Sequence, residues 1–250
     1  MIDILLRVGL TWRTGYLVAA LLYAALALVY VVTGRIWKQA SFTSGPPLKG
    51  EMLQALRRPW VWLGIAMFFF YTGVEGTAGQ WSFTYLTRAR ATAADQARFW
   101  VGAYWGTFTV GRVLFGVIAN RFPADKLLRI AMLCAIVAAG LLWWTPTPLV
   151  GYLALALLGL ALAPIYPLSI AETPRRVGRH LAHYATGFQV SSAGLGIAIL
   201  PWLFGILAAQ VGLEIMGPAL VGGSVLLFLL ELVGSRRSMN QHVADPRQGD

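Results

Sequence analysis

Charged residues are scarce in this sequence, and their scarcity argues against an ordinary soluble fold. Asp, Glu, Lys and Arg together make up 12% of the 250 residues, whereas soluble globular proteins carry about 25%. Hydrophobic residues reach 58%, and the mean hydropathy is +0.65. The composition therefore predicts an integral membrane protein.

Cysteines and catalytic motifs are almost absent as well. A single cysteine, Cys134, excludes a disulfide within the chain, and no Cys/His spacing typical of a metal site occurs. The sequence has no Walker phosphate loop, no G-x-S-x-G and no H-E-x-x-H motif. We therefore expect no enzymatic activity, no cofactor, no metal and no use of ATP.

Long apolar runs are what the sequence has in abundance. A transmembrane helix needs about 20 mostly apolar residues, and seven stretches meet that requirement. They predict an all-α polytopic membrane protein with seven transmembrane helices. The stretches are residues 15–34, 60–87, 99–119, 127–145, 149–171, 184–211 and 215–234. In the fifth of them, Pro164 and Pro167 predict a bend, because proline cannot donate a backbone hydrogen bond.

Basic residues give the chain a net charge of +10 and are unevenly distributed. Fourteen of the 20 Lys and Arg residues lie in alternate connections and in the C-terminal tail, and five lie on the other side. By the positive-inside rule, the richer side is cytoplasmic. We expect a cell-membrane protein with its N-terminus outside and its C-terminus in the cytoplasm, and no nucleic-acid partner. An odd helix count with an external N-terminus predicts that the natural protein begins further upstream.

A polar segment, KQASFTSGPPLKG at residues 38–50, interrupts the apolar runs. Its Gly-Pro-Pro sequence is typical of a flexible linker. We therefore expect four parts. They are a first transmembrane helix (1–34), a cytoplasmic linker (35–59), a six-helix bundle (60–234) and a cytoplasmic tail (235–250).

The second apolar stretch contains a carboxylate, Glu75, among three glycines spaced three residues apart. A charge at the bilayer centre costs several kcal/mol, so Glu75 is expected to face a bundle interior or a wet cavity. The glycines predict close helix contact or a local break. Gln80 and Trp81 follow, and an amide and an indole suit hydrogen bonding and stacking on a sugar. A structural glutamate satisfied by a neighbouring helix is the alternative.

Four other residues are candidates because they are polar or aromatic within apolar runs. Arg112 lies inside the third stretch and needs an acceptor, for which Glu172 is the first candidate. Such a pair could act as a gate or simply secure the packing. Tyr166 faces either a cavity or an interface. Gln189 contacts either substrate or a neighbouring helix, where its hydrogen bond would be worth about 0.6 kcal/mol.

One motif carries a family resemblance. GRVLFGVIANR (111–121), which begins with Gly111 and Arg112 and is followed by a basic loop, resembles the second-half copy of the cytoplasmic loop signature of the major facilitator superfamily. Gly116, Arg121 and Lys126 match that signature, while Asn120 stands where the signature usually has Asp. Residues 73–87 and 187–214 are similar to the seventh and eleventh helices of the fucose permease-like branch.

The resemblance implies a twelve-helix fold of which this chain supplies helices six to twelve, a complete C-terminal half preceded by one helix. It implies a secondary transporter that moves a small polar solute, such as a sugar, by alternating access between two halves. A proton or another ion would be the coupling partner, with Glu75 as the acid that exchanges it. The other partners would be lipid and the missing N-terminal helices, without which we expect the chain to be unstable.

Two other functions fit parts of the sequence. A seven-helix receptor or photoreceptor would match the helix count and the external N-terminus, but residues 215–234 contain no lysine for a retinal Schiff base. A membrane scaffold or an inactive gene fragment would need none of the candidate residues.

Overall fold

The computed structural model describes residues 12–34, 50–119 and 121–244, with side chains from Arg13 to Ser235. The chain separates into two compact units, Met1–Lys49 and Gly50–Asp250. In the first unit, α1 runs from Trp12 to Val32 and exposes most of its apolar side chains.

The second unit contains eight helices among the residues that the structure describes. They are α2 (Glu51–Leu56), α3 (Pro59–Thr84), α4 (Ala94–Ile118), α5 (Ala124–Trp144), α6 (Pro148–Leu162), α7 (Ile165–Val177), α8 (Ala182–Val211) and α9 (Met216–Ala244). A π-helical turn, Tyr85–Ala89, continues α3, and a 3-10 turn, Leu213–Ile215, precedes α9. No strand occurs within the described ranges.

Seven segments of the described chain are long and apolar enough to cross a membrane. They are Arg13–Val32, Pro59–Ala89, Ala94–Ile118, Ala124–Trp144, Pro148–Val177, Ala182–Val211 and Leu213–Ser235. The fold class predicted from the sequence, an all-α protein with seven membrane-spanning helices, is confirmed.

The fifth span is divided into two helices, α6 and α7. The break falls at Ala163 and Pro164, and Pro164 is the N-cap residue of α7. Proline has no N–H to donate to the preceding turn, so the helical hydrogen bonding is interrupted there. By contrast, α8 continues through Pro201 over 30 residues.

Helix α3 is the centre of the second unit and contacts α4, α7, α8 and α9. Helix α6 packs between α4 and α5, and α9 packs along α5 and α3. Glycines permit the closest approaches: a Cβ on Gly196 of α8 would collide with the backbone carbonyl of Phe69 on α3. A Cβ on Gly159 of α6 would likewise collide with the backbone carbonyl of Tyr104 on α4. This close backbone packing is typical of membrane helices, which gain little from hydrophobic burial.

Candidate functional site

The Glu75 carboxyl lies inside the bundle. Glu75 lies in the middle of α3, and the residue is only 8% exposed. The hydroxyl of Tyr104, from α4, donates a 3.1 Å hydrogen bond to the backbone carbonyl of Glu75. The guanidinium of Arg112, also on α4, is near enough to interact electrostatically with the carboxyl. Glu75 therefore faces α4 and the bundle interior.

Two tyrosines lie near this carboxyl, and a third packs against one of them. Tyr71, one turn earlier on α3, lies beside it, and its hydroxyl donates to the backbone carbonyl of Leu162 at 3.1 Å. Leu162 is the last residue of α6, so this bond attaches α3 to the α6–α7 break. The Tyr166 ring of α7 packs 6.1 Å from the Tyr71 ring and edge-on to Phe68 at 4.8 Å. We name Glu75, Tyr71, Tyr104, Tyr166 and Arg112 the carboxyl cluster.

The three glycines around Glu75 admit neighbouring helices. A Cβ on Gly73 would collide with Leu200, and one on Gly76 would lie 2.8 Å from Ile197 Cγ1, both of α8. Gly79 makes room for the Trp105 indole of α4. Since α3 is continuous through all three glycines, they provide close contact and not a helix break.

Gln80 and Trp81 occupy different environments although they are adjacent. Gln80 is exposed on α3. The indole N–H of Trp81 donates to the carbonyl of Pro201 at 3.0 Å, and its ring meets Phe204 edge-on at 5.3 Å. Gly205 of α8 provides the space for that indole. In this conformation Trp81 joins α3 to α8.

Gln189 lies away from the carboxyl cluster. It is buried on α8, accepts a 3.0 Å hydrogen bond from the Thr173 hydroxyl of α7 and packs against Gly64 of α3. Gly64 precedes Glu75 by eleven residues, about 16 Å along a helix that rises 1.5 Å per residue. The structure therefore brings Tyr166 to Tyr71, one turn before Glu75, and leaves Gln189 further along α3.

The predicted ion pair between Arg112 and Glu172 does not form in this conformation. Glu172 is buried at the end of α7 and pairs with Arg175 at 3.0 Å. The Arg112 guanidinium instead lies over the Phe108 ring, 4.5 Å from its centroid. Both residues occur where helical periodicity offers a nearer partner, since Arg175 follows Glu172 by three residues and Arg112 follows Phe108 by four.

The residues that match the family signature lie at the end of α4 and in the loop after it, which together we call the signature loop, and most of them are accessible. Gly111 is buried against Ala163 and Leu160 of the fifth span, whereas nothing lies within 4 Å of a Cβ built on Gly116. Arg121 and Lys126 are exposed. Asn120 lies outside the described residues.

One buried charge pair was not foreseen. Glu231 of α9 is fully buried and accepts two hydrogen bonds from Arg176 Nη2 of α7, at 2.7 and 2.9 Å. Gly234 leaves room for the arginine. Nε of Arg129, on α5, is buried nearby without a hydrogen-bond partner. The signal was available, because Glu231 is an acid within an apolar run, as Glu75 is.

The described residues include no group of three or more His, Cys, Asp or Glu side chains placed to hold a metal ion. The carboxyl cluster itself brings together one carboxyl, tyrosine hydroxyls and one guanidinium.

Comparisons with known proteins extend this description. The family model of the Major Facilitator Superfamily matches residues 4–201. The chain is 27% identical over 188 residues to Bypass of stop codon protein 6 of Saccharomyces cerevisiae, covering 71% of this chain and 38% of that protein. It is 26% identical over 105 residues to the glucose/mannose transporter GlcP of Bacillus subtilis, covering 42% of this chain and 26% of that protein.

A solved structure shares the fold. The crystal structure of the E. coli fucose:proton symporter FucP superposes with a TM-score of 0.65 at 18% identity, covering 77% of this chain and 46% of that chain. The chain thus spans less than half the length of each of these relatives. Because the family model covers more than half of the sequence and the fold agrees, the chain belongs to the Major Facilitator Superfamily, as a multi-pass membrane protein of a transporter family and not an enzyme.

Proposed function

We propose that this chain forms one wall of a secondary transporter that moves a small polar solute, such as a sugar, by alternating access coupled to protons. The observation that carries the proposal is Glu75, a carboxyl buried in the middle of a membrane-spanning helix. Ionisable groups at such depth are costly and usually mark ion or substrate pathways.

The surroundings of Glu75 support proton exchange. The carboxyl is buried between helices, and the Arg112 guanidinium of α4 is near enough to interact with it electrostatically. A buried acid beside a cation on a neighbouring helix suits a group that takes up a proton in one conformation and releases it in another. Because Arg112 is more exposed than Glu75, movement of its side chain would change that interaction.

We further propose that solute contacts lie on the same wall. Gln80 presents an amide on an open face of α3, and Tyr166 belongs to the carboxyl cluster. Trp81 and Gln189 would reach solute only when α3, α7 and α8 shift, since both now bond to neighbouring helices. The names of GlcP and FucP concern glucose, mannose and fucose, so hexoses are the first solutes to test.

The transporter needs a second wall, and we propose that it is the N-terminal set of helices found in relatives about twice as long. Three glycines on α4, at positions 102, 106 and 116, have no atom within 4 Å of a built Cβ. Such small-residue faces are typical of helix–helix contact in membranes. The signature loop that follows, with Gly111, Arg112, Arg121, Lys126 and Glu172 near it, would gate the cytoplasmic side.

The proposed function includes an orientation of the chain in the membrane. We propose that the protein resides in the cell membrane with the segment before α3, the loop after α4, the end of α7 and the C-terminal tail in the cytoplasm, because these four parts together hold fourteen of the 20 basic residues.

Transport assays test the proposal directly. The chain together with the completing helices would be reconstituted in proteoliposomes and offered labelled glucose, mannose and fucose under an inward proton gradient. We expect accumulation of at least one hexose that is lost when a protonophore collapses the gradient. Equal entry of hexose with and without the gradient would exclude proton coupling. Failure of all three hexoses to enter would exclude hexoses as the solute.

A further inference from the structure

A small pocket with hydroxyl groups in its wall lies at the end of the second unit where α3 leads to α4 and α5 leads to α6. Its volume is about 140 Å³. The polar groups come from Tyr85, Arg90, Thr92, Thr145 and Tyr152, and leucines, a proline and a glycine complete the wall. The carboxyl cluster contributes none of these residues, so the pocket is a separate feature of the fold.

The backbone around this pocket is unusual on two sides. The π-helical turn Tyr85–Ala89 ends α3 here, and π-helical turns inside helices are often found at functional sites. Ala91 (φ 49°) and Thr145 (φ 36°) are the only non-glycine residues with positive φ in the described part of the chain. They adjoin the pocket from opposite connections. Disfavoured backbone of this kind is concentrated at ligand sites.

The charge in the pocket is already balanced. Arg90 Nη2 pairs with Glu214 Oε2 at 2.9 Å, and Arg90 Nε donates to the Tyr85 hydroxyl at 2.9 Å. An anion would therefore compete with a carboxylate that is already bound, and a cation would meet the guanidinium. A neutral polar ligand fits this balance best.

The two tyrosine hydroxyls donate long hydrogen bonds within the protein, whereas the Thr145 hydroxyl donates a short one to the Leu142 carbonyl. Tyr85 reaches the Leu142 carbonyl at 3.5 Å, and Tyr152 reaches Gln96 Oε1 at 3.4 Å. Ordinary O–H···O bonds are about 2.7–2.8 Å, so a ligand oxygen at normal distance would be a better acceptor for either proton. Thr92 Oγ1 lies 3.1 Å from the Tyr152 oxygen, which places a second hydroxyl at the same spot.

We propose that this pocket binds a small neutral polyol of three or four carbons. A cavity of about 150 Å³ holds benzene, which has six heavy atoms, and a three-carbon triol also has six. Its hydroxyls both donate and accept, as those of Tyr85, Thr92 and Tyr152 do. Its C–H groups would pack against Leu86 and Leu142. This inference does not depend on the proposed transport function.

Ligand-observed NMR with glycerol as the probe tests the proposal on the full chain in deuterated detergent. We expect a saturable saturation-transfer signal from glycerol. Removing one hydroxyl, by Tyr152→Phe or Thr92→Val, should weaken the affinity about threefold to tenfold, the range expected for one net hydrogen bond. Thr92→Ser retains the hydroxyl and Tyr184→Phe removes one elsewhere, so both should bind as the wild type does.

Several results would overturn the proposal. One is a glycerol signal that does not saturate. Another is a glycerol affinity in both Tyr152→Phe and Thr92→Val that equals the affinity of the wild type. A third is displacement of glycerol by acetate at equal concentration. Circular dichroism and gel filtration verify that each variant is folded. If Tyr152→Phe does not fold, the comparison of Thr92→Val with Thr92→Ser decides the question.

Discussion

Two buried carboxyls, Glu75 and Glu231, illustrate what a sequence reveals at the scale of the residue. Each stands alone in an apolar run, and each avoids lipid in the structure. Their partners differ, since Glu231 forms two short bonds to Arg176, whereas Glu75 has a nearby guanidinium and tyrosines. The sequence predicts an interior position for Glu75, and the same reasoning applies to Glu231, for which no prediction was made. It cannot tell a fixed ion pair from an exchangeable acid, because the partner lies on another helix.

The Arg176–Glu231 pair should contribute strongly to stability only while both members are present. Breaking a buried ion pair by removing one partner costs about 3–5 kcal/mol, whereas replacing both by apolar groups is often neutral. We therefore expect Glu231→Ala to lower the Tm in detergent by about 10 °C, and Arg176→Met with Glu231→Leu to recover most of the loss. Intrinsic fluorescence during heating measures this. If Glu231→Ala unfolded at the same Tm as the wild type, the pair would contribute nothing to stability.

At the scale of the element, hydropathy alone predicts the number and approximate position of the membrane-spanning helices. Pro164 likewise indicates the break between α6 and α7. The π-helical turn after α3 and the left-handed Ala91 and Thr145 carry no local signal, since no glycine marks them. They result from how α3, α5 and α6 meet at one end of the bundle, and the hydroxyl-lined pocket was missed for the same reason.

Two glycines on α8 provide a matched test of helix packing. A Cβ on Gly196 would meet the backbone of Phe69 and the Thr72 hydroxyl, whereas nothing lies within 4 Å of one on Gly194. A backbone carbonyl cannot rotate away, so Gly196→Ala should destabilise the protein by about 1–3 kcal/mol. It should also disturb the 2.7 Å bond from Thr72 to the Ala193 carbonyl.

Gly194→Ala serves as the control for this experiment and should leave the Tm unchanged or slightly raised, because alanine favours helix. Thermal unfolding of both variants in the same detergent provides the comparison. Equal Tm values for the two variants would mean that α3 and α8 are not packed as closely as described.

At the scale of the whole molecule, the family and the fold could be predicted because the signature loop and the helix pattern are encoded locally. The contacts of Arg112 could not, because they depend on how α4 and α7 are rotated relative to each other, and the predicted pair with Glu172 does not form in this conformation. The account of function rests on the carboxyl cluster, where side chains of α3, α4 and α7 meet the end of α6. The proposed coupling of a proton to a solute requires that Glu75 change its protonation as the two proposed walls move.

The most direct test of that claim separates proton coupling from solute movement. In proteoliposomes that hold the chain together with the proposed N-terminal helices, Glu75→Gln should abolish accumulation driven by a proton gradient while preserving exchange of labelled for unlabelled hexose. An amide keeps the size of the side chain but cannot release a proton. Glu214→Gln, an exposed acid at the turn before α9, is the control and should accumulate hexose as the wild type does. Full gradient-driven accumulation by Glu75→Gln would contradict the account.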